Sequence, residues 1–333
     1  MTRALERGLK QLRQNYIVNG GMMVSQENGS TAGTITSYYP VDQFRSELNL
    51  TTGTLSYAQV ASLTPGGSPN RIRITVTAAN AALGSAEYAD VMTKLEGNRV
   101  VDLRLGTANA KQFVLQFGVR APAGTYSVAY SNGAGDRTYV AEYTISAGEA
   151  NTDVVKSVVV TGDLVGTWAT DSSAGLQIRF AVACGATNKV APGAWGAGLF
   201  VAATNQFNLM GTVGNVFELF DVGLYEGTVA PAFQLPDFPS ELALCQRYYE
   251  AGQFFHSLVS GVQINRSLQF TLPFKAVKRN VPTMSLSSVT NLRSNSTAVA
   301  SVTADRVSIS FINTNADGDD FNTGGVWKAS ARM

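Results

Sequence analysis

Residues 113–145 read FVLQFGVRAPAGTYSVAYSNGAGDRTYVAEYTI. Phe113, Leu115, Phe117 and Val119 alternate with Val114, Gln116, Gly118 and Arg120. Tyr126, Val128 and Tyr130 repeat the period, and so does RTYVAEYTI. Alternation with period two, broken by PAGT and SNGAGD turns, is the signature of half-buried antiparallel strands. The same pattern recurs upstream, where Ile72, Ile74 and Val76 alternate with Arg71, Arg73 and Thr75. Downstream it continues through VVKSVVVTG, GLQIRFAVA and NVFELFDVGLYEG. No helix-period segment of useful length interrupts these runs, which argues against crossover βαβ units. The expected fold class is all-β, with an antiparallel sandwich or barrel over residues 19–236.

Composition agrees. Apolar residues make up 45% of the 333-residue chain and charged residues only 15%, so the surface must be built largely of uncharged polar groups. The formal net charge is +1. Such a chain lacks the clustered Lys and Arg that nucleic acid demands, so no nucleic-acid partner is expected. No stretch reaches the roughly 20 apolar residues of a membrane span. The N-terminus, MTRALERGLKQLRQNY, has no apolar signal-peptide core. Synthesis in a cytosol, without membrane insertion, is the expectation.

Two short helices are expected around this body. Leu5, Leu9, Leu12 and Tyr16 are spaced 4-3-4 on one stripe, within a segment taken as residues 1–18. So short a helix is marginal alone in water and must pack on something: a second copy, a larger assembly or its own domain. These four residues are assigned to attachment and trimerisation. The second helix is expected over residues 237–253, around ELALCQRYY. Pro236 and Pro239 stop the preceding strand, Ser240 is placed to cap, and Gly252 to end the helix. Leu242, Cys245, Tyr248 and Tyr249 form its expected buried face, at a junction between two β domains. A smaller C-terminal sandwich over residues 254–333 follows, from the strands HSLVSGVQI, LQFTLPF, RVSISFINT and GGVWKASARM.

Beyond these patterns, certain residues resemble a known family. Asn15, Asn19, Gly20, Met22 and Gln26 open it, followed by Tyr39, Asp42 and Phe44. Gly124, Tyr126, Asn132, Tyr139, Val140, Tyr143 and Ile145 continue it. Gly166, Trp168 and Thr170 come next, then the GAW of Gly193 to Trp195, the segment Glu226 to Phe233, and ELALCQRYY. Over roughly residues 15–250 this order resembles tailed-bacteriophage virion proteins of the tail fibre or receptor-binding type. Gly325, Trp327 and Ala329 fit that family's C-terminal ending. The resemblance implies a jelly roll related in shape to carbohydrate-binding modules, usually in a homotrimer. It implies location in the virion, contact with other virion proteins, and contact with host-surface polysaccharide. A head fibre or capsid decoration protein is the alternative placement.

Catalysis finds little support in the residues. The single histidine, His256, leaves no two-histidine zinc site. No G-x-S-x-G elbow presents a serine to it. A polysaccharide depolymerase would need two carboxyl groups about 5–10 Å apart. Asp136, Glu142, Asp153, Asp163 and Asp171 are candidates that no spacing singles out. NTNADGDD, Asn313 to Asp320, imitates a calcium loop, but Gly324 stands where the bidentate Glu would be. GGMMVS and GTVGNV lack the lysine and spacing of a phosphate-binding loop. The chain is therefore read as a non-enzyme with no metal and no cofactor. Cys184 and Cys245, far apart in sequence, are expected to be free buried thiols. Binding by shape remains, and sugars are held by aromatic rings stacked on their C–H faces. Tyr130, Trp168 and Trp195 are the candidate glycan-binding rings, with core packing as the competing role for each tryptophan.

Overall fold

The computed structural model describes residues 15–258, 267–292, 294–313 and 321–333. The chain divides into two compact units, one running to Phe238 with Met333, the other Pro239–Arg332. Both are built of β-strands, as the alternation predicts.

In the first unit the strands are β1 Phe44–Asn49, β2 Thr54–Ala61, β3 Asn70–Ala78, β4 Tyr88–Glu96, β5 Phe113–Arg120, β6 Gly124–Ser131 and β7 Arg137–Ile145. They continue with β8 Val154–Val160, β9 Ala174–Cys184, β10 Lys189–Val190, β11 Trp195–Ala197, β12 Ala202–Ala203 and β13 Val216–Glu226. A six-stranded sheet has the order β1-β4-β9-β6-β7-β11, and a five-stranded sheet the order β2-β3-β13-β5-β8. Pairing within both is antiparallel. The chain passes repeatedly from one sheet to the other, so most neighbours in a sheet are distant in sequence. One core cluster takes side chains from both sheets. Ile72, Ile74, Phe117, Leu219 and Phe217 come from the five-stranded sheet, and Val91, Tyr126, Val128, Ile178 and Phe180 from the six-stranded one. The two sheets therefore pack face to face as a β-sandwich of jelly-roll type. Phe117 stands at its centre, edge-on to Phe180 at 5.2 Å and to Tyr143 at 4.9 Å between ring centroids. Such edge-to-face pairs add about 0.5–1.5 kcal/mol to simple burial.

The N-terminal expectation divides. Leu5, Leu9 and Leu12 lie outside the described residues. Tyr16 does not belong to a helix: its backbone is irregular, and it is buried in the core cluster of the first unit. Its N–H donates to the Leu224 carbonyl at 3.0 Å and its hydroxyl to Asp102 at 2.5 Å. Burial, with Asp102 alongside, pushes the phenol well above its ordinary range. The reason lies one residue earlier. The Asn15 side-chain oxygen accepts from the N–H groups of Ile17 and Leu224, and its amide donates to the Val222 carbonyl. That ties the backbone to β13 in place of a helical turn. Tyr16 is thus a core residue and not part of an exposed attachment stripe.

The next motif residues meet in one place. Asn19 donates to the carbonyls of Val24 and Asp42, and accepts from the Val24 N–H. Gln26 donates to the Asp42 carboxylate from its side chain and its backbone. A side chain on Gly20 would collide with the Val222 carbonyl, 2.0 Å from where a Cβ would sit. The motif is a buckle that fastens residues 15–42 to the sandwich.

In the second unit, helix α1 spans Phe238–Gln246, followed by β14 Tyr249–Leu258, β15 Ser267–Pro273, β16 Thr283–Leu292, β17 Ser294–Val302, β18 Arg306–Asn313 and β19 Phe321–Ser330. Two three-stranded sheets, β14-β19-β16 and β15-β18-β17, enclose a core of Phe254, Phe274, Val307, Ile309, Trp327 and Ala329. The helix is shorter than residues 237–253. It has nine residues, and its buried side chains are Glu241, Cys245 and Gln246. Leu242 lies off that face, half-buried, and Leu244 is 38% exposed. Ser240 is already inside the helix, so it is not the cap. Tyr248 and Tyr249 are buried as expected, but in the turn and at the start of β14. Gly252 is a strand residue that makes room for Trp327, whose ring lies 2.8 Å from where a Cβ would stand. It does not end the helix.

Cys184 and Cys245 are both free and buried. Burial pushes the Cys184 thiol up to about 12. Since the thiolate is the nucleophile, iodoacetamide at pH 8 should leave Cys184 unmodified in the native protein and alkylate it after unfolding. Rapid native labelling, read by mass spectrometry, would contradict this placement.

Candidate ligand-binding pocket

The loop between β8 and β9 carries Trp168, and a set of braces holds it. Arg137 on β7 grips the buried Asp163 carboxylate with two hydrogen bonds, 2.9 and 2.6 Å. Bidentate pairing fixes direction as well as distance. Asn132, in the turn after β6, donates to the Thr167 carbonyl at 3.0 Å and to Asp136 at 2.5 Å. The Gly106 N–H donates to the Asp163 carbonyl. Gly106 has φ +80°, and a Cβ there would sit 2.8 Å from the Trp168 ring and 2.7 Å from the Gly166 carbonyl. Only glycine suits that backbone and that approach.

Trp168 meets Trp195 edge-on, with ring centroids 5.4 Å apart. Trp195 sits on β11 opposite Tyr139 of β7 and packs against it at 5.5 Å. Its indole N–H donates to the Thr161 carbonyl at 2.6 Å, and that of Trp168 to Val165 at 3.3 Å. The structure therefore brings together the two tryptophans picked from sequence. Tyr130 is different. It is 0% exposed, packed on Phe113 at 5.6 Å and Tyr139 at 6.4 Å. Its place next to the SNGAGD turn suggested the surface, but the inward phase of β6 decides, and Tyr130 is a core residue. The rings form a ladder from the core outward: Phe113, Tyr130, Tyr139, Trp195, Trp168.

Trp168 forms one wall of a pocket of about 310 Å3. Val100, Val101, Leu105 and Ala169 complete the apolar lining, and Arg104, Thr107, Asn109 and Thr170 supply polar groups. Arg104 follows a one-turn 3-10 helix, Val101–Leu103, and has φ +54°. That left-handed position is unusual for a residue with a Cβ. The volume falls at the low end of the range for small-ligand sites, about 300–1,000 Å3. Val101, Leu164 and Val165 are exposed valines and leucine on the same loops. An apolar wall with a few polar groups around it suits a ligand with one hydrophobic face and hydroxyls at its edge. Sequence reasoning missed Arg104, Thr107 and Asn109. Their segment, NRVVDLRLGTANAK, has neither strand nor helix period, and Gly106 was its only signal.

Four of the five carboxylates named from sequence hold structural partners, and the fifth, Glu142, has one buried oxygen without a hydrogen-bond partner. Asp163 is held by Arg137, Asp153 by Arg71, Asp136 by Asn132, and Asp171 accepts from the Ser173 N–H. His256 lies in the second unit, stacked on Phe270 at 4.8 Å. Among the described residues, no group of three His, Cys, Asp or Glu side chains is placed to hold a metal ion. Residues 314–320 of the calcium-like segment lie outside the described residues.

No family model matches the chain, and no curated protein matches it. Solved structures do. The enzymatically active domain of tailspike protein 4 of bacteriophage CBA120 aligns over 64% of this chain and 21% of its own, with 10% identity and a TM-score of 0.33. The module TmCBM61, solved with β-1,4-galactotriose, aligns over 64% of this chain and 99% of its own, with 11% identity and a TM-score of 0.31. A family 11 carbohydrate-binding module of a Clostridium thermocellum cellulosomal cellulase aligns over 59% and 95%, with 12% identity and a TM-score of 0.30.

Proposed function

We propose that the first unit binds a glycan in the Trp168 pocket. The observation that carries this reading is the bracing of Trp168. A half-buried indole is held by Arg137, Asp163, Asn132 and Gly106 beside an open pocket with polar groups at its edge. A tryptophan needed only for packing would not require a pocket in front of it. Preorganised rings bind at low entropic cost, and a sugar's C–H face fits such a ring.

The resemblance in sequence extends the proposal. The chain is a virion protein of a tailed phage, a short tail fibre or receptor-binding appendage that contacts host-surface polysaccharide. It acts as a homotrimer and by binding, without catalysis. Localising the protein in purified virions tests that placement, and its absence from them would overturn it.

The pocket has its own test. Trp168→Ala should weaken binding to a glycan identified on an array by about thirtyfold, as loss of an aromatic anchor worth roughly 2 kcal/mol would. Gly106→Ala should weaken it too, by displacing the ring. Unchanged affinity in both variants would sink the assignment.

A further inference from the structure

The outer face of the five-stranded sheet carries a second built feature. Arg73 of β3, Glu218 of β13 and Arg120 of β5 are direct cross-strand neighbours. They point away from the core, because Ile72, Leu219 and Val119 between them point into it. Arg71, two residues before Arg73, is 1% exposed and donates to both Asp153 oxygens and to Glu218. Its guanidinium lies 4.4 Å over the Phe220 ring, which in turn lies across Gly118. Glu218 is fully engaged: one oxygen accepts from Arg71, the other from Arg73 at 2.6 Å. The Arg120 side chain is exposed and makes no hydrogen bond or ion pair with any described residue.

A pocket of about 370 Å3 opens here, lined by Arg73, Arg120, Asn151, Asn215 and Glu218, among others. It is polar and has no aromatic wall, unlike the Trp168 pocket. Asn151 has φ +57°, and its N–H donates to the Ala121 carbonyl at 2.8 Å. Arg71 is matched by Asp153 and Glu218, with Asp221 also within electrostatic reach of it, and Arg73 is matched by Glu218; the Arg120 guanidinium has no carboxylate partner among the described residues. Lys156 and Glu149, the nearby pair at 2.7 Å, cancel each other.

We infer that this pocket binds the carboxylate of an acidic saccharide, with Arg120 and Arg73 as the charged donors and Asn151 and Asn215 beside the hydroxyls. Arginine forks match the two oxygens of a carboxylate. One guanidinium without a carboxylate partner, beside the Glu218 carboxylate, fits a monoanion better than a phosphate monoester, which carries nearly two charges at neutral pH. The site is distinct from the Trp168 pocket, and neither reading needs the other.

Titration calorimetry on the full chain decides it, with galacturonate trisaccharide against the matched neutral galactose trisaccharide. The acidic sugar should bind and the neutral one should bind at least tenfold more weakly. Arg120→Ala should cost about tenfold in affinity for the acidic sugar, the scale of one charge-assisted hydrogen bond. Arg120→Lys should recover part of it. Trp168→Ala should leave it unchanged. Arg120 is exposed, so both substitutions should leave the melting temperature as it is. Three results would overturn the assignment: equal binding of the neutral sugar, an Arg120→Ala variant that binds as the parent does, or loss of binding in Trp168→Ala alone. Inorganic phosphate that displaces the sugar at equal or lower concentration would overturn it as well, by making the site a phosphate site.

Discussion

Lys278→Ala is expected to destabilise the second unit by about 3–5 kcal/mol, the usual cost of removing one partner from a buried ion pair. Lys278 has a side-chain exposure of 0%, and its ammonium sits 2.5 Å from Glu250, itself buried. It also donates to the Gln246 carbonyl at 2.6 Å and the Ala276 carbonyl at 3.2 Å. Gln246 is the last residue of α1. A helix ends with unpaired carbonyls, and a cation there satisfies one of them and favours the negative end of the helix dipole. Glu250 lies one residue into β14, so a single lysine ties the end of the helix to the start of the strand. The Phe274 ring, 4.7 Å away, closes the site. Burial lowers the Lys278 pKa, and Glu250 opposes that shift. Lys278→Ala leaves the Glu250 charge buried and the helix end bare. Replacing both partners together, as Lys278→Met with Glu250→Leu, should cost much less, since no charge is then stranded. Hydrogen exchange read on peptides within residues 239–332 separates the two. Equal protection in Lys278→Ala and in the parent would refute the role given to the pair.

That arrangement explains ELALCQRYYE, the segment that stands out from the β-rich chain around it. Its acidic and aromatic residues do not extend one helix. Gln246 ends the helix, Tyr248 turns it, Tyr249 starts a strand, and Glu250 holds the lysine that joins them. The sequence pattern located the segment and its buried tyrosines. It could not place the helix end, because Lys278 lies 28 positions after Glu250 and no local signal announces it. Tyr16 failed in a similar way. Its spacing from Leu12 suits a helix, yet the bonds from Asn15 to Val222 and Leu224 are made some 200 residues away. Alternation, by contrast, is a local property. β3, β5 and β6 were legible because a strand's inward phase is written in its own residues. The same phase should have warned that Tyr130, in step with Tyr126 and Val128, points inward. Half of the Trp168 pocket was legible in this sense: the tryptophans, but not Arg104 or Asn109, whose loop has no period.

Arg71 and Arg73 pose the sharpest test of what burial is worth. They lie on one face of one strand and share a carboxylate, Glu218, at 2.8 and 2.6 Å. In sequence they are indistinguishable, each an outward residue of an alternating strand. In the fold Arg71 is 1% exposed and Arg73 43%. The difference comes from its second partner: Asp153, 82 positions away, grips the Arg71 guanidinium through both its oxygens. Arg71→Ala should therefore destabilise the first unit by about 3–5 kcal/mol, because it leaves Glu218 short of a donor in a dry site and empties the space above Phe220. Arg73→Ala should cost no more than about 1 kcal/mol, as for other solvent-screened pairs. Arg71→Lys should recover little, since an ammonium cannot span Asp153 and Glu218 as a planar fork does. Urea unfolding of the three variants measures this directly. Similar losses for Arg71→Ala and Arg73→Ala would mean that the shared carboxylate, and not burial, sets the strength of this face.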